Sequence, residues 1–246
     1  MSHDAVTSQD GVLGTAALVR PALWLTFPAV RGAAYAMWTA PGLRERYPAY
    51  LSAMHLLIRA SVPLMEAAAE SCRRLPPGDA SAQPLAEYFG AHIPEERGHD
   101  QWLLEDLAVL GVPEPDALPG TAVREDIAAM AGTQYYWVRH GHPACLLGYI
   151  AVLEGCPPQP RLVDRLPALT GLPVSAFRTL AWHADLDPGH HRELDRLFEV
   201  LPLSAVVAAA VARNAAWTAA RAAILLRRLA GGPAGRRAGE DGTTRR

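Results

Sequence analysis

Three side chains that could bind a metal ion recur at helical spacing within residues 182–191. His183, Asp187 and His190 stand four and then three residues apart. In a helix they would share one face, about one turn apart. Two imidazoles and a carboxylate suit iron, manganese or zinc. Because the surrounding chain is rich in leucine and alanine, three ionisable groups on one stripe need an explanation. A solvated helix face is the alternative, and the choice depends on whether the rest of the chain supplies further ligands.

A second stretch, residues 92–100, could supply partners for this stripe. Glu96 and His99 form a Glu-x-x-His pair, the arrangement that puts a carboxylate and an imidazole on one inward face of a bundle helix. Glu95 stands four residues from His99 and Glu96 three, so spacing alone does not choose between them. His92, two turns before His99, could support a ligand through a hydrogen bond.

Single carboxylates complete the set of candidates. Glu66 and Glu154 each follow an apolar helical run, where a lone carboxylate is least expected without a partner. Two ambiguities remain open. Glu70, one turn after Glu66, is a rival to it, and His191, four residues after the stripe's aspartate, is a rival to His190.

Composition excludes several classes of protein. Of the 246 residues, half are apolar and a fifth are charged, and the net charge is −2, so neither nucleic acid nor an anionic membrane is expected as a partner. The three cysteines, Cys72, Cys145 and Cys156, contain no Cys-x-x-Cys pair and imply neither a disulfide framework nor a zinc ribbon.

The apolar runs do not predict a membrane protein. Residues 203–226 are interrupted by two arginines and an asparagine, which is typical of a buried amphipathic helix and not of a membrane span. The first residues are polar and lack the basic start of a secretory signal. We therefore expect a cytoplasmic protein.

Helical periodicity dominates the chain, and strand alternation and fixed repeats are absent from the sequence. We expect disordered ends at 1–14 and 231–246, and one domain at 15–230. The fold class is all-α, a single-domain bundle of about six or seven helices. Predicted helical segments are 15–40 (in short pieces), 47–75 (kinked at Pro63), 82–110, 121–154 (with a break at 141–143), 160–169, 174–200 and 202–229.

Several of these motifs together resemble a known family, the haem-oxygenase-like di-iron oxidases and oxygenases, often called iron-containing redox enzymes. The resemblance spans roughly residues 45–200 and lies in the order and spacing of the motifs. Its carriers are His-Ile-Pro-Glu-Glu-Arg-Gly-His-Asp at 92–100, Leu-Leu-Glu-Asp-Leu at 103–107, Tyr-Ile-Ala-Val-Leu-Glu-Gly at 149–155, and the series His183, Asp187, His190.

The resemblance implies a haem-oxygenase-like fold and two Fe(II) ions per chain. By it, Glu96, His99 and His183 would hold one iron and Asp187 and His190 the other. Glu154 would bridge or complete the pair, and Glu66 would be a further ligand. The implied chemistry is activation of O₂, as co-substrate, to oxidise a small molecule such as an amino acid, a fatty acid or a biosynthetic intermediate.

Two other functions stay open. One is a metal-independent, cofactor-processing enzyme of the thiaminase-like or quinone-cofactor-synthase-like kind, in which His183 and Asp187 would do acid–base work. The other is a non-catalytic helical interaction protein. As partners we expect a small-molecule substrate, allow for an external electron donor and a homodimer, and expect neither nucleic acid nor membrane.

Overall fold

The computed structural model describes residues 14–112 and 119–231, and within these ranges every regular element is helical. The all-α class predicted from the sequence is confirmed. Ten α-helices and one 3-10 helix occur in these ranges: α1 (Thr15–Thr39), α2 (Leu43–Ile58), α3 (Ser61–Cys72), α4 (Ala82–Glu96), α5 (His99–Val109), α6 (Thr121–His140), α7 (Cys145–Glu154), α8 (Pro160–Thr170), the 3-10 helix (Val174–Phe177), α9 (Arg178–Val200) and α10 (Ala205–Gly231).

The two longest helices, α1 and α10, pack along each other. The sequence predicts only short helical pieces at 15–40, because Pro21 and Pro28 remove hydrogen bonds. In the structure α1 is continuous through both prolines, which lie on its exposed face. Its buried face recurs every three to four residues, as with Leu23 and Phe27. Apolar contact with α10 thus outweighs the hydrogen bonds lost at the prolines.

Two predicted long helices are each divided in two, which raises the number of helices. Residues 47–75 form α2 and α3, with the break at 59–60. Pro63 consequently lies in the first turn of α3. Backbone N–H groups in a first turn have no acceptor within the helix, so the N–H that proline lacks costs no hydrogen bond there. The predicted kink at Pro63 is therefore absent from α3. Residues 82–110 form α4 and α5, separated at Arg97 and Gly98. The break predicted at 141–143 is confirmed between α6 and α7.

Helix α7 lies at the centre of the core. Every residue from Cys145 to Val152 is buried. A Cβ placed on Gly148 would lie 2.4 Å from the carbonyl oxygen of Val211 and 2.9 Å from the amide nitrogen of Ala215. The backbones of α7 and α10 therefore approach so closely that only glycine fits at this position.

A buried amide network links α6, α7 and α10. Asn214 donates to the Gln134 side-chain oxygen and to the Cys145 carbonyl, each at 2.7 Å, and Gln134 donates to the Met130 carbonyl at 3.2 Å. Because both amides are buried and satisfied, the network fixes how these three helices are aligned.

The chain ends fall largely outside the described residues. The disorder predicted for 1–14 and 231–246 concerns residues that lie beyond those ranges, apart from Gly14 and Gly231, and it stays a prediction. None of the helices in the described ranges combines the length and the apolar character that crossing a membrane requires.

The close approach of α7 and α10 makes a testable prediction. Gly148→Ala should lower the free energy of unfolding by about 1–3 kcal/mol, because the added methyl group meets backbone atoms that cannot move independently. Gly132→Ala, whose added methyl group meets nothing within 4 Å on α6, is the matched control. It should raise stability by about 0.5–1 kcal/mol through helix propensity. Urea unfolding of both variants measures this, and equal effects would contradict the close approach.

Candidate metal centre

Four ligand-type side chains from three helices converge inside the bundle. His92 and Glu96 come from α4, Glu154 from the last turn of α7, and His190 from the middle of α9. One ligand atom from each lies within 4.8 Å of all the others. His92 and His190 are buried, and the side chains of Glu96 and Glu154 are only 10% and 14% exposed. The donor set is two imidazoles and two carboxylates.

Glu96 stands at the centre of this arrangement. One of its carboxylate oxygens lies 3.4 Å from Nδ1 of His99, and the other lies 3.6 Å from Nδ1 of His190. Burial opposes the charge on Glu96, but the neighbouring histidines outweigh burial and lower its pKa. Glu96 is therefore the carboxylate that connects the α4–α5 side of the site with α9.

The sequence predicts that the Glu-x-x-His pair lies on one continuous helix. In the structure it does not. Glu96 is the last residue of α4 and His99 the first of α5, and Gly98 between them has φ +93°, in the left-handed region that favours glycine. The break still leaves Glu96 and His99 in contact. The pair is thus kept by a glycine turn and not by helical periodicity.

Glu154 is held by His92. The His92 Nε2–H donates to Oε1 of Glu154 at 2.9 Å. Burial opposes protonation of His92, but this hydrogen bond and the carboxylates of α4 outweigh burial and raise its pKa. In the sequence analysis, His92 had only a supporting role. Its spacing of four residues from Glu96 already indicated that the two side chains share one helical face.

The stripe on α9 is helical, as the spacing predicts. His183 donates from Nδ1 to the carbonyl of Thr179 at 2.9 Å, which leaves Nε2 as the lone-pair donor. Burial lowers the pKa of His183 and favours the neutral ring. Asp187 is buried. Its burial, together with Glu154 and Glu96, raises its pKa to about 8. His183 contacts the ring of His99, with 5.1 Å between centroids.

The structure separates most of the rival candidates. Glu66 and Glu70 are both about half exposed and form ion pairs with arginines outside the cluster, Glu66 with Arg97 at 3.4 Å. Glu95 is 49% exposed, although it reaches to 3.6 Å from Nε2 of His190. His191 is only partly buried and, like His99, His183 and Asp187, lies outside the four-residue cluster, although its Nδ1 is buried without a hydrogen bond from the described residues.

Unpartnered polar atoms show that the cluster fits a metal ion. Nδ1 of His92, His99 and His190 and Oε2 of Glu154 are buried without a hydrogen bond from the described residues. A buried polar atom without a partner costs free energy, and a cation would satisfy several at once. Imidazole nitrogen with carboxylate oxygen suits iron, manganese or zinc.

An apolar cavity of about 80 Å³ opens onto this cluster. Its polar end consists of carboxylates and imidazoles, among them Asp187 and His183, and its walls come from α2, α3 and α7. The cavity therefore joins the ligand cluster to a space lined largely by apolar side chains. The wall residues are Ile58, Leu64, Met65, Leu146, Tyr149, Ile150 and Leu153.

Comparison with known proteins assigns this helical chain to a family. Residues 82–226 match the family model described as iron-containing redox enzyme. Because that match covers more than half of the chain, this protein belongs to that family, and the resemblance predicted from the sequence is confirmed. The family supports a redox enzyme in general terms.

The fold is shared with a solved structure. The crystal structure of a domain of unknown function with a heme oxygenase-like fold from Shewanella denitrificans OS217 matches with a TM-score of 0.69 at 13% identity, covering 92% of this chain and 96% of that chain. At this identity the match shows the fold alone, and the predicted haem-oxygenase-like fold is confirmed. Comparison with the curated proteins gives no match.

The start of α9, which carries the stripe, is anchored by Asp106 of α5. The Asp106 side chain is fully buried and accepts a hydrogen bond from the backbone N–H of Thr179 at 2.9 Å. This bond satisfies one of the N–H groups that the first turn of a helix leaves unpaired. The position of His183, one turn further on, consequently depends on a residue that binds no metal.

We expect Asp106→Ala to lower the free energy of unfolding by about 1–3 kcal/mol, because a buried N–H loses its acceptor. Hydrogen exchange of the first turn of α9 should also accelerate. Glu105→Ala is the matched control, since Glu105 is half exposed and pairs with Arg178 at 3.3 Å. It should cost less than about 1 kcal/mol. Equal losses in the two variants would remove the anchoring role of Asp106.

Proposed function

We propose that this protein is a non-haem di-iron oxidase or oxygenase that uses O₂ to oxidise a small molecule. One observation carries the proposal. Buried histidines and carboxylates from α4, α5, α7 and α9 surround Glu96, which contacts imidazoles on both sides. A single ion could not use all of these donors, whereas two ions could.

Glu96, His99 and His183 would hold one iron, and Asp187 and His190 the other, with Glu154 completing the pair. When bound, two ferrous ions supply the electrons that activate O₂ for oxidation of the substrate. Glu66 is a weaker candidate, because its half-exposed side chain pairs with Arg97.

Groups beside the ligands orient them. The Thr179 carbonyl holds the His183 ring with Nε2 free, and His92 holds one oxygen of Glu154. Such partners fix ligand orientation and raise ligand basicity. The same space has a largely apolar wall. This wall favours a substrate whose reacting part is apolar, within the expected range of amino acids, fatty acids and biosynthetic intermediates.

Anaerobic titration with Fe(II) tests the proposal. We expect two irons per chain and, on addition of O₂, a transient visible absorption. Parallel titration with Mn(II) compares the two metals. Glu96→Ala should lose at least one iron, because it removes the central carboxylate. Glu66→Ala is the matched control and should keep two. Absence of iron binding in the unsubstituted protein would reject the proposal in favour of a metal-independent enzyme or an interaction protein.

The role of His92 is tested separately. His92→Leu removes the donor that holds Glu154, so iron affinity should fall roughly 10–100-fold while the stoichiometry stays at two. Equilibrium titration against a competing chelator measures both quantities. Loss of one iron per chain would instead make His92 itself a ligand, and unchanged affinity would mean that the Glu154 contact is immaterial to metal binding.

A further inference from the structure

A series of aromatic rings leads from the candidate metal centre to the protein surface. His99 stacks on Trp102, with ring centroids 4.0 Å apart and an interplanar angle of 27°. Trp102 in turn meets the edge of Trp182, with centroids 4.6 Å apart. Trp182 is 37% exposed. The series thus runs from a candidate ligand through two indoles to solvent.

The series crosses the interface between α5 and α9, two of the helices that carry candidate ligands. Trp102 follows His99 by one turn on α5, and Trp182 directly precedes His183 on α9. Trp102 also lies 6.1 Å from the ring of His183, centroid to centroid. Trp102, which is partly buried, therefore contacts two candidate ligands, whereas Trp182 is the more exposed of the two indoles.

Packing alone leaves the outer end of the series unexplained. An aromatic side chain that only fills a helix interface stabilises the fold most when it is fully buried. Trp182, however, is 37% exposed. Leu186, one turn further along α9, is also exposed, at 40%. The Arg178 guanidinium lies 5.9 Å from the Trp182 ring centroid. Trp182 is thus an accessible indole within a mixed apolar and charged surface.

Indole is among the side chains most readily oxidised by one electron, and electron transfer falls steeply with distance. Rings in contact therefore divide one long transfer into short ones. We propose that Trp102 and Trp182 relay single electrons from an external reductant at the surface to the metal centre after its reaction with O₂. This inference rests on the proposed function and adds the entry point of the electron donor.

The electron balance is closed at each step. Trp102 gives one electron to the oxidised centre beside His99 and becomes a radical cation. Trp182 gives one electron to Trp102, and a one-electron reductant then restores Trp182 while being oxidised itself. Without a reductant, the exposed Trp182 cation releases its indole proton to water and persists as a neutral radical.

The test uses Fe(II)-loaded full-length protein, mixed rapidly with O₂ in the absence of substrate and freeze-quenched for electron paramagnetic resonance. The unsubstituted protein should give a tryptophan radical, identified with ring-deuterated tryptophan, and ascorbate should remove it. In Trp182→Phe the radical should remain on Trp102 and be removed by ascorbate more slowly, because Trp102 is less exposed than Trp182. In Trp102→Phe the radical should be lost. Trp24→Phe, at an exposed position on α1, is the control and should keep the full signal.

A metal-free measurement checks the indole contact itself. The near-ultraviolet circular dichroism of the apoprotein should show coupling between the two indoles, lost in Trp102→Phe and Trp182→Phe and kept in Trp24→Phe. Far-ultraviolet spectra and thermal unfolding establish that the variants are folded.

Two outcomes overturn the relay and leave the proposed function standing. One is iron oxidation without a tryptophan radical in the unsubstituted protein, and the other is an undiminished radical in Trp102→Phe. The iron content and oxidation of the same samples are measured in parallel. If iron neither binds nor reacts with O₂, the proposed function fails and the relay fails with it.

Discussion

Three carboxylates share one buried space in this protein, and the rest of the structure has to hold them there. Glu96, Glu154 and Asp187 line the same cavity, and that cavity's lining includes no arginine or lysine. Unpaired negative charges in an apolar interior are costly. Histidines on α4, α5 and α9 relieve part of this cost, and the raised pKa of Asp187 reflects the part that remains. A bound cation would remove the rest.

The surrounding bundle is arranged so that these groups cannot easily move apart. Helix α7, which ends at Glu154, lies against α10 at backbone distance because of Gly148. The Asn214 side chain of α10 fixes the same two helices by donating a hydrogen bond to the Cys145 carbonyl of α7. Asp106 holds the start of α9. Each of these contacts lies outside the cluster, yet each positions a helix that contributes a ligand to it, which is how a rigid scaffold preorganises a site.

The sequence predicted those features that depend on local periodicity. The stripe on α9 was predictable because three residues at spacings of four and three must share a helical face, and the chain is helical there. The division of residues 82–110 was not predictable in the same way. Gly98 is tolerated within many helices, and only the packed structure shows its left-handed conformation. The apolar residues before Glu66 predicted that its side chain points into the bundle. In the structure it is half exposed and pairs with Arg97, a contact between α3 and the α4–α5 turn that local periodicity does not reveal.

The separation of the ligands along the chain has a consequence for the assembly of the site during protein synthesis. One half, from His92 to His99, leaves the ribosome long before the other half, from His183 to His190. The two halves meet only where α9 docks against α5 and α7, so the full set of candidate ligands is complete only once the chain has been made through the end of α9.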